Sequence, residues 1–468
     1  MNSAPFHRRQ FLTAGGITAG TLLAAPDITL QAKDNHPDTP HNIIHMVADG
    51  MSMGTLTNSD YLSQIMRKRG LVWTELLGRQ EASTCFMNMR SLDAYVTDSS
   101  AASSSWGGGK RINNGAVNML PGMIPVTPIY EILKKEGWQR GLVTTTEVTH
   151  ATPAGFASSV PKRSMAPQIA AQYLGHEVDV ILGGGSKYFD AKNRKDKRDL
   201  QGDFRKQGYQ TFATKSDLEN ADYSKKWLGT FTSGHLPYTV DHKQDPHLES
   251  QIPTLAEMTK AALKRLTGKK RFMLQVEGGR VDHGCHSCDA AGAFHDQIAF
   301  DDAIEVCLRY QQEHPETLIL ITTDHGNGNP GLNGTGANYV ASNVMLANLA
   351  EAKASLGVML NRMGPSPSIL KIRNVIEDAT GYKTPGAKAE FFQRFLNKKG
   401  EALYEMMNKP SNQLGQLLAN HWAIGWSGNA HTADYVPLTA IGPGADRFTG
   451  FIQNTDVFDH FMTFAGLK

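Results

Sequence analysis

The chain has 468 residues, 40% of them hydrophobic, so it can bury a large core, and its length alone suggests about three domains. Its 47 basic residues nearly balance its 45 acidic ones, and the formal net charge of +2 gives no indication of a nucleic-acid partner. The 17 histidines leave metal chemistry open. Composition therefore indicates a soluble globular protein and nothing more specific.

The N-terminus carries a twin-arginine export pattern. An Arg-Arg-Gln-Phe-Leu run beginning at Arg8 opens a weakly apolar stretch, rich in Gly, Ala and Thr, that ends at Ala25. This stretch is too short and too interrupted for a membrane-spanning helix, which needs about 20 apolar residues. We predict an export signal over residues 1–32, cleaved after Ala25 or Ala32, and a polar tether over residues 33–41. The mature protein is expected to be periplasmic or extracellular.

Asn42–Val47 is the first apolar run after the tether and predicts a buried strand. Asp49 follows the end of this strand, and open α/β sheets bind ligands at the carboxyl ends of their strands. The aspartate could equally cap a helix, because Asp is a favoured N-cap residue.

The serine-rich stretch after Tyr95 is a second candidate site. Asp98 and Ser99 are followed by small residues up to Trp106, which would let a helix N-terminus approach an anion with its backbone N–H groups. Ser99 could be a nucleophile, but no Gly-x-Ser-x-Gly elbow surrounds it, so something such as a metal ion would have to activate it. Taken alone, the stretch is more typical of a packing turn.

Residues 141–146 predict another strand, which runs into His150 and Thr152, the latter offering a hydroxyl oxygen at the strand end. A Ser-Val-Pro-Lys-Arg run ends at Arg163 and matches the Ser-x-Pro-x-Arg pattern of sulfatases, but the Thr-Gly that usually follows is absent. We interpret Arg163 instead as a bidentate clamp for phosphate oxygens.

The middle of the chain offers no further site. Residues 178–182 predict a buried strand that ends in glycines without the Gly-Lys-Ser/Thr of a P-loop, so nucleotide binding is not indicated. His235, His242 and His247 lie in a Pro-rich loop and are predicted to be solvated.

Phe272–Glu277 predicts a buried strand that ends in a carboxylate. On the helical turn that follows, Asp282 and His286 are four residues apart, point the same way and could bind one metal ion. Carboxylate and imidazole suit Zn²⁺, whereas Glu277 offers hard oxygen for a cation such as Mg²⁺. The alternative is a surface helix start with solvated acids, and three potential ligands within ten residues disfavour it.

Thr317–Thr322 predicts one more buried strand, and a second Asp/His pair follows it at Asp324 and His325. Adjacent residues of a strand point to opposite faces, but the turn beyond the strand end can bring both side chains to one ion.

From about residue 330 to 420 the chain is Gly/Asn-rich and then amphipathic and helical, which we interpret as an inserted cap. His431 lies on a Gly-rich loop beyond it and is preferred as a metal ligand over His421, which lies within a helical pattern.

The four cysteines, Cys85, Cys285, Cys288 and Cys307, allow at most two disulfides. Cys285-x-x-Cys288 invites a redox or zinc interpretation, but a structural zinc site needs four ligands and no second Cys pair has suitable spacing. We predict incidental cysteines or one local disulfide.

Five apolar runs, each ending in an acid, a hydroxyl or a glycine, alternate with helical segments. The pattern predicts an α/β fold with a doubly wound, mostly parallel sheet flanked by helices, and residues 42–468 as one domain carrying the cap. From about Asn42 onward the motifs resemble the alkaline phosphatase family. The matching pieces, in family order, are Asp49-Gly-Met, Tyr-Val-Thr-Asp98-Ser99, Thr152-Pro-Ala, Arg163, Val-Glu277-Gly-Gly-Arg-Val-Asp282-His283, His286, Thr-Asp324-His325 and His431-Thr.

The resemblance implies a phosphate monoester hydrolase with two Zn²⁺ ions and one Mg²⁺ ion. It implies one zinc site of Asp282, His286 and His431, a second of Asp324, His325 and a bridging Asp49, and a magnesium site of Asp49, Thr152 and Glu277. Ser99 would be the nucleophile and form a phosphoseryl intermediate, and Arg163 would bind the phosphate. Asp98, His150 and His283 would support the site.

Two positions depart from the best-known bacterial members, which carry Asp and Lys where this chain has His150 and His283; animal members carry His at both. An imidazole near the third site is expected to weaken or alter its preference for Mg²⁺. Ser103 and Ser104 replace the usual Gly/Ala-Thr after the nucleophile, and we expect this change to affect packing rather than roles.

Two other functions remain open at this point. One is a sulfatase or phosphodiesterase on the same kind of sheet, and the other is an exported metal- or phosphate-binding protein without turnover. The expected partners are small phosphate monoesters, with no nucleic-acid-specific binding and no stable membrane span after signal removal. The family analogy also implies a homodimer.

Overall fold

A ten-stranded, mostly parallel β-sheet lies at the centre of the fold. The computed structural model describes residues 39–268 and 270–468, and all elements below lie within these ranges. The sheet strands are β1 (Asn42–Val47), β2 (Ala82–Asn88), β3 (Gln139–Glu147), β4 (Val180–Gly184), β5 (Gln210–Phe212), β6 (Trp227–Thr230), β7 (Phe272–Glu277), β8 (Thr317–Thr322), β9 (Val436–Ile441) and β10 (Gly450–Gln453).

Across the sheet the strand order is β10-β2-β9-β8-β1-β7-β3-β4-β6-β5. Strand β9 is antiparallel to its neighbours β2 and β8, and the other neighbouring pairs are parallel. Strands β1, β7 and β8 are buried along their whole length, as apolar strands covered on both faces must be. The predicted mostly parallel α/β sheet is confirmed.

Helices flank this sheet in the described residues. The first ten are α1 (Met53–Arg67), α2 (Val72–Leu76), α3 (Ser99–Gly108), α4 (Ile129–Lys135), α5 (Ala151–Ala157), α6 (Ala166–Gly175), α7 (Leu200–Lys206), α8 (Lys215–Glu219), α9 (Thr239–His242) and α10 (Pro246–Gln251). The next nine are α11 (Leu255–Leu266), α12 (Arg280–His286), α13 (Ala290–Glu313), α14 (Ala341–Leu349), α15 (Leu356–Met363), α16 (Ile369–Thr380), α17 (Gly386–Leu396), α18 (Pro410–Trp422) and α19 (Asn454–Ala465). Short 3₁₀ turns cover Ser186–Tyr188, Glu405–Met407 and Ala445–Arg447.

Two-residue strands form three small antiparallel pairs outside the main sheet. They are Met119–Leu120 with Ile124–Pro125, Gly326–Asn327 with His431–Thr432, and Gly331–Leu332 with Ile424–Gly425. The last pair joins the two ends of the segment that carries α14 to α18. The role of this segment as a cap stays a prediction.

The register of the three central strands determines where the site lies. Val47 of β1 pairs with Glu277 of β7 on one side and with Thr322 of β8 on the other. Because the three strands are parallel, their carboxyl ends meet at one edge and the loops after them begin side by side. Asp49, Glu277 and Asp324 are thereby brought together.

The outer strands are less evident from the sequence than the central ones. Strand β5 has only three residues and lies in the charged region 190–226. Strands β2 and β10 are partly exposed, so they lack the unbroken apolar run that marks a central strand.

All four cysteines are buried free thiols, which excludes the predicted alternative of a local disulfide. Burial raises the pKa of the Cys288 thiol to about 12. The cysteines are therefore packing residues, and Cys285-x-x-Cys288 is not an oxidised pair in this structure.

None of the helices in the described part of the chain is long and apolar enough to cross a membrane. The predicted export signal, and the tether up to residue 38, lie outside the described residues.

Helices α3 and α5 lie unusually close together. A methyl group at Gly107 of α3 would overlap the backbone carbonyl of Gly155 in α5, and one at Gly155 would overlap the Ser103 side chain. Ser103 Oγ also donates a hydrogen bond to the Thr152 carbonyl at 2.6 Å. These contacts hold α3, which begins at Ser99, against the helix that carries Thr152.

We predict that Gly107→Ala lowers the free energy of unfolding by about 1–3 kcal/mol, because the added methyl group overpacks this contact. Gly175→Ala is the matched control. It lies in helix α6 with open space around its Cβ, so it should leave stability unchanged or raise it by up to about 1 kcal/mol. Urea denaturation measures both, and equal midpoints for the two variants would contradict the prediction.

Candidate metal and phosphate site

Three clusters of potential metal ligands lie at the carboxyl edge of the sheet. Within each cluster the ligand atoms are all within 4.8 Å of one another. The clusters are Asp282 with His286 and His431, Asp49 with Asp324 and His325, and Asp49 with His150 and Glu277. Asp49 belongs to two of them, so the three clusters form one continuous site.

The first cluster combines helix α12 with the loop before β9. His286 Nε2 lies 3.3 Å from Asp282 Oδ2 and 3.1 Å from His431 Nε2. The Nδ1 atoms of the two histidines donate to the carbonyls of Asn429 at 2.7 Å and Thr97 at 2.8 Å. When both rings are neutral, their Nε2 atoms therefore carry lone pairs that face each other, an arrangement that a shared cation stabilises.

Burial lowers the pKa of His431 to about 4, so its ring is neutral in alkaline solution. Burial opposes ionisation of Asp282 as well, but the charge and hydrogen bond of His286 in its protonated form hold the pKa of this carboxyl well below its usual range. A neutral imidazole beside an ionised carboxylate is the form in which both bind zinc.

The second cluster follows strands β1 and β8. His325 Nε2 lies 3.1 Å from Asp324 Oδ2 and 3.7 Å from Asp49 Oδ1. Gly50 N–H donates to the other oxygen of Asp324 at 2.9 Å. The His325 ring stacks on the ring of His431, with 3.5 Å between their centres, which places the first two clusters in contact.

The third cluster lies between strands β1, β3 and β7. His150 Nδ1 is 3.8 Å from Asp49 Oδ2 and 3.7 Å from Glu277 Oε1. The other oxygen of Glu277 accepts hydrogen bonds from Thr144 and, at 3.1 Å, from Thr146. One oxygen of Glu277 is thus held in place and the other faces the cluster.

The polar atoms that these clusters leave unpaired indicate that the residues fit bound cations. Five oxygen atoms are buried and have no hydrogen-bond partner in the described structure: Asp49 Oδ1 and Oδ2, Thr152 Oγ1, Glu277 Oε1 and Asp324 Oδ2. Burial, together with the charges of Asp324, Asp282 and Glu277, raises the pKa of Asp49. A buried carboxylate without a compensating charge is costly, so this set is suited to divalent metal ions.

Ser99 lies beside the second cluster. It is the first residue of α3, is buried, and its Oγ is 3.2 Å from His325 Nε2. Nδ1 of His325 donates to the Gly326 carbonyl at 3.3 Å, so Nε2 presents a lone pair to the Ser99 hydroxyl. The residue before it, Asp98, caps the helix by accepting a hydrogen bond from the Ala101 N–H at 2.8 Å.

Arg163 extends from the loop after α5 toward the same point. Its Nη1 lies 3.2 Å from Asp98 Oδ2, and its Nη2 donates to His150 Nε2 at 3.3 Å. Burial opposes the charge on Asp98, but Arg163 and the hydrogen bonds of Ala101 and Ser100 lower the pKa of this carboxyl overall. The ionised Asp98 thus holds both the helix N-terminus and the guanidinium.

His283 and His235 complete this side of the site. The His283 ring centre lies 5.5 Å from that of His150 and 4.4 Å from that of His235, and its Nδ1 accepts from Arg280 at 2.8 Å. His235 Nδ1 accepts from the Glu147 N–H at 3.1 Å, and burial lowers the pKa of His235 to about 4.

The prediction that three loop histidines are solvated is therefore wrong for two of them. His235 is half-buried in the site, and His242 is buried with its Nε2 2.9 Å from the Ile252 carbonyl, whereas His247 is exposed. No local pattern marks His235 as a site residue, because the fold brings it there from the loop after β6.

Two residues from alternative interpretations of the sequence, His421 and Ser159, lie outside the three clusters. His421 lies on α18, where its ring stacks on Tyr382 and its Nε2 donates to the Thr380 carbonyl at 3.0 Å. Ser159, which opens the sulfatase-like run, donates its hydroxyl to the Val126 carbonyl at 2.7 Å. Neither residue belongs to the three clusters.

Comparison with known proteins identifies the family. The family model described as alkaline phosphatase matches residues 40–467. The chain belongs to the alkaline phosphatase family. It is 30% identical to alkaline phosphatase 4 of Bacillus subtilis, covering 95% of this chain and 92% of that protein. It is 27% identical to the alkaline phosphatase of Escherichia coli, covering 97% and 93%.

A solved structure agrees with this assignment. The crystal structure of Thermus thermophilus alkaline phosphatase has a TM-score of 0.86 at 32% identity, covering 95% of this chain and 96% of that chain. The resemblance stated from the motifs is confirmed, and the chain is a phosphoric monoester hydrolase whose acidic and histidine clusters are suited to metal ions.

We predict that removing metal with a chelator lowers the unfolding temperature, because four buried carboxylates (Asp49, Glu277, Asp282 and Asp324) lose their counter-charges. Zn²⁺ restored at a thousand times its Kd should stabilise the protein by about 4 kcal/mol. Thermal unfolding with and without added Zn²⁺ measures the effect.

His286→Ala should reduce this zinc-dependent shift, whereas the exposed His247→Ala should not. An identical unfolding temperature for chelated and zinc-loaded wild type would contradict the prediction.

Proposed function

We propose that this alkaline phosphatase family member hydrolyses phosphate monoesters in two steps through a phosphoseryl intermediate on Ser99. The observation that carries the proposal is the place of Ser99 Oγ, 3.2 Å from His325 Nε2 and next to the ligand clusters joined by Asp49. A serine with only a packing role at the start of a helix would not need its hydroxyl within hydrogen-bond distance of a histidine in a buried acidic cluster.

The proposed metal content is two Zn²⁺ ions and one Mg²⁺ ion. Asp282, His286 and His431 would hold one zinc; Asp49, Asp324 and His325 the other; Asp49, Thr152 and Glu277 the magnesium. Bound there, the zinc ions would lower the pKa of a nearby hydroxyl or water and offset the charge of a phosphoryl group in transfer.

The third ligand set is supported by the hydrogen bonding of His150. Its Nε2 accepts from Arg163, so the proton of the neutral ring lies on Nδ1, which faces Asp49 and Glu277. In that state Nδ1 has no lone pair for a metal ion, so His150 would lie beside the carboxylates without being a ligand. The remaining donors, Asp49, Thr152 and Glu277, are oxygen ligands of the kind that Mg²⁺ prefers.

Ser99, Arg163 and the N-terminus of helix α3 have separate roles in the proposed reaction. Ser99 Oγ loses its proton to solvent and attacks phosphorus, and the bond from phosphorus to the leaving oxygen breaks, so that the alcohol departs with a proton from solvent and the phosphoryl group stays on Ser99. Arg163, oriented by Asp98, offers a planar pair of donors to two non-bridging oxygens. The ten-residue helix α3 would place the positive end of its dipole, at its N-terminus, beside the same oxygens. Water then cleaves the phosphoseryl bond and restores the serine.

We further propose export by the twin-arginine route, for which the Arg-Arg-Gln-Phe-Leu pattern at the N-terminus is the support. A homodimer is proposed from the family analogy alone. Residues 42–468 are proposed as one catalytic domain with a cap at about 330–420.

We predict that Ser99→Ala lowers kcat for a chromogenic phosphate monoester about 10³-fold or more, because it removes the nucleophile. Acid quenching with radiolabelled phosphate should label the wild-type protein and not the variant. Ser105→Ala in the same helix is the control, since the Ser105 hydroxyl donates only to the Ala102 carbonyl. A Ser99→Ala enzyme with wild-type turnover would exclude the covalent mechanism.

We also predict that Arg163→Ala lowers kcat/KM about 10²-fold and weakens inhibition by inorganic phosphate, because the donors for the non-bridging oxygens are lost. Arg163→Lys should recover only part of the loss, since Lys lacks the planar fork. Arg198→Ala, which breaks an exposed pair with Asp203, is the control. Unchanged phosphate inhibition in Arg163→Ala would show that the phosphate binds elsewhere.

The same assay separates the other candidate functions. Rates for phosphate monoesters above those for diesters and sulfate esters support the proposal, and the reverse order would favour the sulfatase or diesterase alternative. Zinc binding without turnover of any ester would favour a binding protein.

A further inference from the structure

The ring of His286 is oriented by a residue outside the three clusters. Its Nδ1 donates to the backbone carbonyl of Asn429 at 2.7 Å, which leaves Nε2 facing Asp282 and His431. The Asn429 carbonyl therefore determines how this ligand enters its cluster. Asn429 is buried, so its position depends on what its own side chain contacts.

Asn412 of helix α18 is that contact. Its Oδ1 accepts from Asn429 Nδ2 at 2.7 Å, and its Nδ2 donates to the His286 backbone carbonyl at 2.9 Å and to Cys288 Sγ at 3.3 Å. One fully buried carboxamide thus bonds both to the residue that carries the imidazole and to the residue whose carbonyl orients it. The bonds to Asn429 and Cys288 are buried, and the bond to the His286 carbonyl is partly buried.

A glycine one turn after Asn412 allows helix α18 to lie this close to the turn after α12. Gly415 lies three residues after Asn412, on the same face of the helix. A methyl group at Gly415 would overlap the backbone carbonyl of Cys288, which follows α12. The helix therefore packs directly on the turn after the His286 ligand, and Asn412 is the polar contact at that junction.

We propose that Asn412 is a positioning residue for the metal ligand His286, and that through it helix α18 controls the zinc affinity of the first cluster. The inference rests on the proposed metal site and extends it to helix α18, which supplies no residue to the three clusters. Residues that hold a metal ligand in place typically change metal affinity by about 10- to 100-fold when removed.

The test compares two carboxamides on one helix. Gln413 is also buried on α18, but its Nε2 donates to the Met407 carbonyl at 2.9 Å and to Gln416 Oε1 at 3.4 Å, neither of which belongs to the clusters. Zinc affinity is measured by competition with a chromogenic chelator in wild type, Asn412→Ala, Gln413→Ala and His286→Ala. His286→Ala identifies the class of zinc that belongs to the first cluster.

We expect Asn412→Ala to weaken that class of zinc about 10- to 100-fold and Gln413→Ala to leave it unchanged. Thermal unfolding of the metal-free proteins should show similar decreases in unfolding temperature for the two variants, since each substitution removes one buried amide. Equal zinc affinity in these two variants would overturn the inference. A wild type that binds no zinc, or a His286→Ala that binds zinc as wild type does, would overturn the proposed function instead.

A second variant keeps the inference testable if Asn412→Ala does not fold. Asn429→Ala removes the donor to Asn412 but retains the backbone carbonyl that His286 contacts. It should weaken the same class of zinc, and the double variant should lose less than the sum of the two single losses, because both act through one hydrogen bond. Full additivity, or no effect of Asn429→Ala, would show that Asn412 does not act through this contact.

Discussion

The negative charge of Asp49 is the constraint on which the rest of the site depends. Both of its carboxylate oxygens are buried without a hydrogen-bond partner in the described residues, and Asp324, Asp282 and Glu277 lie close enough to raise its pKa. A buried carboxylate close to three other carboxylates is stable in its ionised form only when cations lie beside it. The strand register that brings these acids together therefore creates a need for the same ions that the proposed chemistry uses.

A second carboxylate, Asp98, connects the reacting groups to the scaffold. It caps the helix that presents Ser99 and pairs with Arg163, so the proposed nucleophile and the proposed phosphate clamp share one fixed point. The close packing of α3 on α5 at Gly107 and Gly155 extends that rigidity to the backbone. A site held in this way needs little rearrangement to receive a tetrahedral anion, which is what electrostatic catalysis requires.

The sequence predicts the central fold well, and it marks the candidate ligands, because both leave local signals. Apolar runs such as Thr317–Thr322 mark the buried strands, and an acid or histidine follows directly after them. Outer strands such as β5 are short or half-exposed, so their signal is lost among charged neighbours. His235 and Asn412 cannot be found in this way, since each reaches the site only through tertiary packing. The roles assigned to the ligands stay predictions until metal and activity are measured.

Strand β9 is antiparallel in an otherwise parallel neighbourhood, so its amino end lies at the edge where the other strands finish. His431 therefore precedes its strand, whereas Asp49 and Asp324 follow theirs. Strand β9 also connects β2 and β10 to the rest of the sheet, across a long stretch of sequence. Pairing over such distances is slow to form, and the first cluster lacks a ligand until it has formed. The C-terminal part of the chain thus decides the moment in folding at which the first cluster is complete.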